Sequence, residues 1–205
     1  MGVLKSASEG GEAKVGRPRS EAVERAILDG VVGLLEEGVP LADISIERVA
    51  RTARVGKATI YRRWPGREEL FVEVLRRAEP PDPPLTGGSV REDLITLLES
   101  LRLRGVANRS STLLCNVHAQ MKSHPRLWST YHALVIEPRR RMSVEVLRRG
   151  QRTGEIRTDL DLDLMHDLFV GPMLVRTVVR PEGDLPEELA AQIVDVVLAG
   201  LRPAQ

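Results

Sequence analysis

Residues 48–67 carry Arg48, Arg51, Arg54, Lys57, Arg62, Arg63 and Arg67 without a single Asp or Glu among them. Cationic groups clustered without compensating carboxylates suit a phosphate-bearing partner, and Ala58, Thr59 and Tyr61 add an open, hydroxyl-bearing surface of a kind that fits a DNA groove. The other reactive residues form no comparable constellation. His118, His124, His132 and His166 lack a close i, i+4 pair or an accompanying carboxylate motif, so no metal site is expected. No nucleophile elbow, phosphate loop or paired-carboxylate motif stands out, which argues against an enzyme and calls for no cofactor. Cys115, beside Leu113, Leu114 and Val117, reads as a small buried apolar residue.

The attraction to phosphate has to be local. The chain of 205 residues holds 30 basic and 29 acidic side chains, a net charge of +1. Residues 1–80 carry 14 basic and 13 acidic groups, and residues 81–205 carry 16 of each. Hydrophobic residues make up 42% and aromatics only 3%, so the core is built from Leu, Val, Ile and Ala, a mixture that favours helices packed on helices. One cysteine allows no intramolecular disulfide, no N-terminal stretch reads as a secretion signal, and no window reaches the roughly 20 apolar residues of a membrane span. A cytoplasmic protein that does not enter the membrane is expected.

Periodicity places the basic cluster. Residues 1–16 show none and are expected to be a disordered tail ending in GRPRS, where Arg17 and Arg19 could lie in a minor groove as a flexible arm. From Ser20, a candidate N-cap, Val23, Ala26, Ile27, Val31, Leu34 and Leu35 recur at helical spacing up to a stop at Gly38. Ser45 caps a brief helix carrying Ile46, Val49, Ala50 and Ala53, and Gly56 starts another that must end before Pro65. Two short helices joined by a tight turn are the helix-turn-helix pattern. Gly66 opens a fourth helix with Glu68 and Glu69 in its first turn, where the dipole favours acids. The domains read as a head over 17–65, a connecting helix and Pro/Gly-rich hinge over 66–88, and an α-helical remainder over 89–205. There Val90 to Arg104, Ser111 to Lys122, Pro125 to Gln151, Leu162 to Val179 and Pro186 to Leu201 read as helices. Pro138 and Gly171-Pro172 should kink or interrupt two of them. The expected fold is all-α with about nine helices.

On a helix over 57–64, about 100° per residue brings Ile60 and Trp64 together as an apolar anchor. Ala58, Thr59 and Arg62 then face outward as readers of base edges, while Lys57, Tyr61 and Arg67 are placed for phosphates.

Over residues 49–70, VARTARVGKATIYRRWPGREEL resembles the TetR family of transcriptional regulators, whose head has the pattern I-A-x-x-A-G-V-S-x-x-T-L-Y-x-x-F-x-x-K-x-x-L. Val49, Ala50, Ala53, Val55, Thr59, Ile60, Tyr61, Trp64 and Leu70 fall on it, with Arg67 at the lysine position. Arg54 stands where the turn glycine is usual, and Gly56 stands where a capping serine is usual. The expected DNA-binding surface comprises Arg17, Arg19, Ser45, Lys57, Ala58, Thr59, Tyr61, Arg62 and Arg67, with Arg54, the departure from the family's turn, expected to add a phosphate contact. More weakly, residues 137–176 look like a common C-terminal type of the family. That implies a homodimer whose last two helices form a four-helix bundle with the partner, and inner helices that enclose an inducer pocket.

Within that layout Leu168, Val175, Leu189, Ile193, Val196 and Val197 are candidates for the dimer interface. His118, Met121, Trp128, Tyr131, His132, Phe169 and Met173 are candidates for the pocket, each of which also reads as ordinary core or surface. The expected function is a repressor that binds a double-stranded, inverted-repeat operator and is released by a small-molecule inducer. A ligand-independent regulator or an activator with the same head is the alternative, and an enzyme of unrecognised type is a remote one.

Overall fold

The computed structural model of the chain describes residues 16–121, 123–180 and 182–203, and its regular structure is helical, with no strand among them. Of the expected tail over 1–16, residues 1–15 lie outside the described residues, and Gly16 opens the first helix.

Helix α1 spans Gly16–Glu36. It starts before Ser20, which lies inside the helix and does not cap it, and it takes in the backbone of Arg17 and Arg19, so the expected flexible arm is helical there. Pro18 allows this, because in a first turn the missing N–H would have no partner in any case. The helix ends in a Schellman motif: Gly38 at φ +78 donates to the Leu35 carbonyl and Val39 to the Leu34 carbonyl. After a 3-10 turn at Leu41–Asp43 come α2, Ile46–Thr52, and α3, Lys57–Tyr61. Helix α4, Arg67–Ala78, follows from Gly66, with Glu68 and Glu69 in its first turn. Ile27, Val31, Leu41, Ile44, Val49, Ile60, Leu70 and Leu75 from these elements close over one core.

Helix α5, Val90–Ser110, is capped by the Ser89 hydroxyl accepting from the Glu92 N–H, and α6 spans Thr112–Met121. A single rod then joins α7, Pro125–Tyr131, through a π turn at His132–Ile136 to α8, Glu137–Thr153. The expected break at Pro138 is this π turn. Glu137 donates to the His132 carbonyl five residues back, a widened turn that absorbs the lost donor without ending the rod. Helix α9, Leu162–Leu174, contains Pro172 and widens just after it into a second π turn, Val175–Val179. Helix α10, Leu189–Gly200, completes the chain and packs along α5. Leu94, Leu98, Leu147, Met165, Phe169, Met173 and Val194 form a second core.

The first core does not stop at the hinge. Leu114 and Val117 of α6 and Leu127, Tyr131 and Val135 of the long rod join it, with α4 lying against α7. The head is therefore packed onto the helices that follow it.

Candidate nucleic-acid interface

The surface is built from the α2 end upward. The Ser45 hydroxyl accepts from the Arg48 N–H at 3.2 Å and fixes the start of α2. At its other end Ala53 is the C-cap, Arg54 donates to the Arg51 carbonyl at 3.2 Å and Val55 to the Ala50 carbonyl at 2.9 Å. These two bonds make a second Schellman motif, and Arg54, at φ +53, occupies its left-handed position. Glycine fills the equivalent position at Gly38 and at Gly154, which closes α8. Among the described residues Arg54 is the only non-glycine with positive φ. Gly56 caps α3 through backbone alone, with no side-chain cap bond.

Helix α3 is held by its apolar side, since Ile60 is fully buried and Trp64 nearly so. Arg63 adds a long-range tie. Its guanidinium donates to the Thr59 carbonyl of α3 and to both the carbonyl and the hydroxyl of Ser20 on α1. Lys57, Ala58, Tyr61 and Arg62 remain exposed on the outward side and Thr59 is half-buried, with half of Tyr61 open to solvent. Arg51 and Arg54 are exposed beside them, and no ion pair of Arg51, Arg54 or Arg62 is present among the described residues. Lys57 pairs with Glu47 at 2.9 Å, a contact in which the hydrogen bond and the opposite charge raise the lysine and lower the carboxyl from their ordinary values.

Arg67 differs from the phosphate role assigned to it. It donates to the Ala42 carbonyl at 3.1 Å, stacks over the Phe71 ring at 5.6 Å and lies 3.6 Å from Glu68, bracing α4 against the 3-10 turn. Ser45 is half-buried in its capping role. Arg51 and Arg63 were absent from the assigned surface. The first is visible in the basic run, whereas the second is recognised only by its contact with Ser20, 43 residues away.

Residues 36–74 match the family described as bacterial regulatory proteins, tetR family, and residues 83–197 match the tetracyclin repressor-like C-terminal domain. The chain belongs to the TetR family. The uncharacterized HTH-type transcriptional regulator YdeS of Bacillus subtilis (strain 168) is 31% identical over 174 residues, covering 82% of this chain and 84% of that protein. The uncharacterized HTH-type transcriptional regulator Mb1581 of Mycobacterium bovis is 30% identical over 163 residues, covering 77% and 78%. Among solved structures, the TetR family transcription regulator SCO0332 superposes with a TM-score of 0.58 at 25% identity, covering 88% of this chain and 99% of that one. The flavonoid-responsive regulator FrrA superposes with a TM-score of 0.60 at 20% identity over 90% and 100%, which speaks for the fold alone. This TetR-family chain is a helix-turn-helix transcriptional regulator and not an enzyme. No described helix is long and apolar enough to cross a membrane.

Of the seven pocket candidates, four come together: the Tyr131 ring lies 5.9 Å from His118 and 6.5 Å from Trp128, and Trp128 lies 6.3 Å from His132. Met121 is buried with Tyr131 in the first core, Trp128 and His132 are exposed, and Phe169 and Met173 are buried apart from them in the second core. None of the seven lines the cleft of about 520 Å³ between α1, α4 and the Pro80–Asp82 hinge, whose walls are charged. Of the interface candidates, Leu168, Val175 and Val196 are exposed and Ile193 and Val197 half-buried, but Leu189 is only 4% exposed and belongs to its own chain's core. The exposed apolar row on α9 and its π turn instead includes Leu164, Leu174, Val178 and Val179. Cys115 is exposed, because its helix turns Leu114 and Val117 inward and leaves it outside.

Sequence reasoning missed a charged hub where α4 meets the C-terminal helices. Glu79, the C-cap of α4, is buried; it accepts from the Tyr131 hydroxyl at 2.9 Å and Arg139 at 3.0 Å, and His118 Nε2 lies 3.6 Å away. Asp82 accepts from Arg139 at 2.8 Å and Arg104 at 3.0 Å. Burial pushes the Glu79 carboxyl up, but His118, Arg139 and Tyr131 outweigh it and hold it below the ordinary value. Burial pulls His118 down, yet its bonds to Glu79 and to the Leu114 carbonyl leave it raised. Burial, reinforced by the Glu79 charge, pushes the Tyr131 phenol up.

Proposed function

We propose that the chain acts as a homodimer that represses transcription from an inverted-repeat operator and leaves it when a small molecule binds. The observation that carries this reading is the outward side of α3 and its turn, where Arg51, Arg54 and Arg62 stand exposed without an acidic partner among the described residues. Ala58, Thr59 and Arg62 read base edges; Lys57, Tyr61 and Arg54 grip phosphates, with Lys57 exchanging Glu47 for the backbone. Ser45 supports the surface by capping α2, and Arg67 by bracing α4. Arg17 and Arg19 approach the DNA from the first turn of α1.

The exposed apolar row of Leu164, Leu168, Val175 and Val178, with Val196 on α10, supports dimerisation through α9 and α10. Two copies then present two α3 helices to successive major grooves, roughly 34 Å apart or a multiple of it. The ligand binds among the helices after the hinge and favours a head spacing that no longer fits.

Sequencing the DNA retained by the purified protein from a random pool tests the reading. Enrichment of a dyad-symmetric site that competes with random DNA is expected. Retention without sequence enrichment, or of a single half-site by a monomer, refutes it.

A further inference from the structure

The polar side chains of α5 that are buried, or half-buried with a buried polar atom, fall into two groups. Asp93 accepts from Arg149 at 2.6 Å and from the Thr86 and Gly87 N–H groups, and Arg102 pairs with Glu99 and donates to the Leu185 carbonyl. Ser100 Oγ, Arg104 Nε and Asn108 Oδ1, by contrast, are buried atoms with no hydrogen-bond partner. They are spaced i, i+4, i+8 and therefore form one stripe along one face, about 12 Å from first to last. An unpaired buried polar atom is destabilising, and three in a row are an unexplained concentration.

The surroundings define what would satisfy them. Arg104 reaches Asp82 with one terminal nitrogen, which ties the stripe to the hub of Glu79, His118, Tyr131 and Arg139. Each formal cation there already faces a carboxylate: Arg104 meets Asp82, Arg139 meets Asp82 and Glu79, and His118 meets Glu79. What remains along α5 is hydrogen-bonding capacity and not charge. Arg104 Nε asks for an acceptor, Asn108 Oδ1 for a donor, and Ser100 Oγ can take either. Leu97 and Leu101, half-buried and packed against the second core, lie on the same face of α5 between the polar points.

We propose that the stripe Ser100–Arg104–Asn108 is the recognition strip of the ligand site, and that the ligand is an elongated neutral molecule with an apolar body and hydroxyl groups. This rests on the ligand-released reading above and adds its chemical class. A hydroxyl both donates and accepts, so one oxygen meets Arg104 Nε and another meets Asn108 Oδ1. A carboxylate would enter a place whose cations are already paired and would face Glu79 and Asp82.

The probe is 4,4′-dihydroxybiphenyl, compared with 4,4′-dimethoxybiphenyl and biphenyl-4,4′-dicarboxylate, titrated calorimetrically into the full-length protein without DNA. The diol is expected to bind at least tenfold more tightly than either analogue. Asn108→Leu and Ser100→Ala should each lower diol affinity fivefold or more while dimethoxybiphenyl changes less than twofold; either variant suffices if the other fails to fold. Tighter binding of the dicarboxylate, no binding of the diol, or unchanged diol affinity in the folded variants overturns the proposal. Displacement from the enriched operator is read separately by fluorescence anisotropy. Diol binding without displacement refutes ligand release and supports the site, whereas displacement by the dicarboxylate alone overturns the site's chemistry and leaves release standing.

Discussion

Replacing Arg54 by glycine separates two roles that the structure places on one residue. The left-handed backbone of Arg54, φ +53, strains a residue with a Cβ by roughly 1–2 kcal/mol. Glycine relieves that, but loosens the unfolded chain by about 0.4–1 kcal/mol, so the variant should gain a net of roughly 0–1.6 kcal/mol of stability. For a chain of this size each 1 kcal/mol is a rise in Tm of roughly 2–4 °C. The two Schellman bonds, Arg54 to Arg51 and Val55 to Ala50, are backbone bonds and survive the change. DNA binding should move the opposite way. If each Arg54 of the dimer neutralises one phosphate, losing both lowers the slope of log K against log salt by about 1.8, because each phosphate contributes about 0.9. The assay is anisotropy on the enriched operator across a salt series, beside thermal unfolding. Raised Tm with weaker, less salt-sensitive binding is the expected result. Unchanged affinity and slope would show that Arg54 touches no phosphate and that the sequence bears the turn strain for another reason.

Tyr61→Ala should weaken binding to operator and random DNA alike by roughly 1–3 kcal/mol, while Arg62→Ala should lose more on the operator and relax preference at one base pair; equal losses on both DNAs would remove Arg62 from base reading. Val196→Asp, at a side chain 75% exposed, should leave helicity and Tm nearly intact but convert the dimer to monomer in sedimentation, and a persistent dimer would move the interface off α10. His118→Asn should be least tolerated at mildly acid pH. His118 is raised above 6.5, so its contribution is complete below that value and fades as pH climbs through the raised one; Glu79 is lowered below 4.5, so its own contribution fades only in stronger acid. The Tm advantage of the native chain over the variant should shrink from pH 6 to pH 8, and an advantage that grows over that interval would contradict the pairing.

What the sequence made legible was local. Gly38, Ser45 and Gly66 mark helix ends through rules that involve a few neighbouring residues, and the position of Ile60 and Trp64 follows from helical spacing alone. The same locality misled at Ser20, a good cap by type whose carbonyl and hydroxyl are instead taken by Arg63, and at Cys115, whose apolar neighbours point inward while it does not. Arg67 looked free because the Ala42 carbonyl it binds is 25 residues away. Glu47 lies one residue outside the acid-free run, yet its carboxylate reaches Lys57. The hub around Glu79 joins residues from five separate stretches, 79, 82, 104, 118 and 131–139, and no periodicity or motif connects them.

The proposed ligand release needs an element that can shift between arrangements, and that hub, where α4 meets the C-terminal helices, is placed to supply it. Glu79 ends α4, and Arg67 at the other end of the same helix is bonded to the Ala42 carbonyl ahead of α2. The buried carboxylate and the head's 3-10 turn are thus joined through a single helix of 12 residues. Breaking one partner of a buried ion pair leaves an uncompensated charge and costs roughly 3–5 kcal/mol, so buried Glu79 is held firmly to Arg139, whereas Asp82, 40% exposed, is screened by solvent and holds Arg104 and Arg139 more weakly. A ligand that engages Arg104 needs to favour one of those arrangements by only about 1–3 kcal/mol to change operator affinity five- to 150-fold, which lies within the reach of one or two hydrogen bonds to an otherwise unpaired strip.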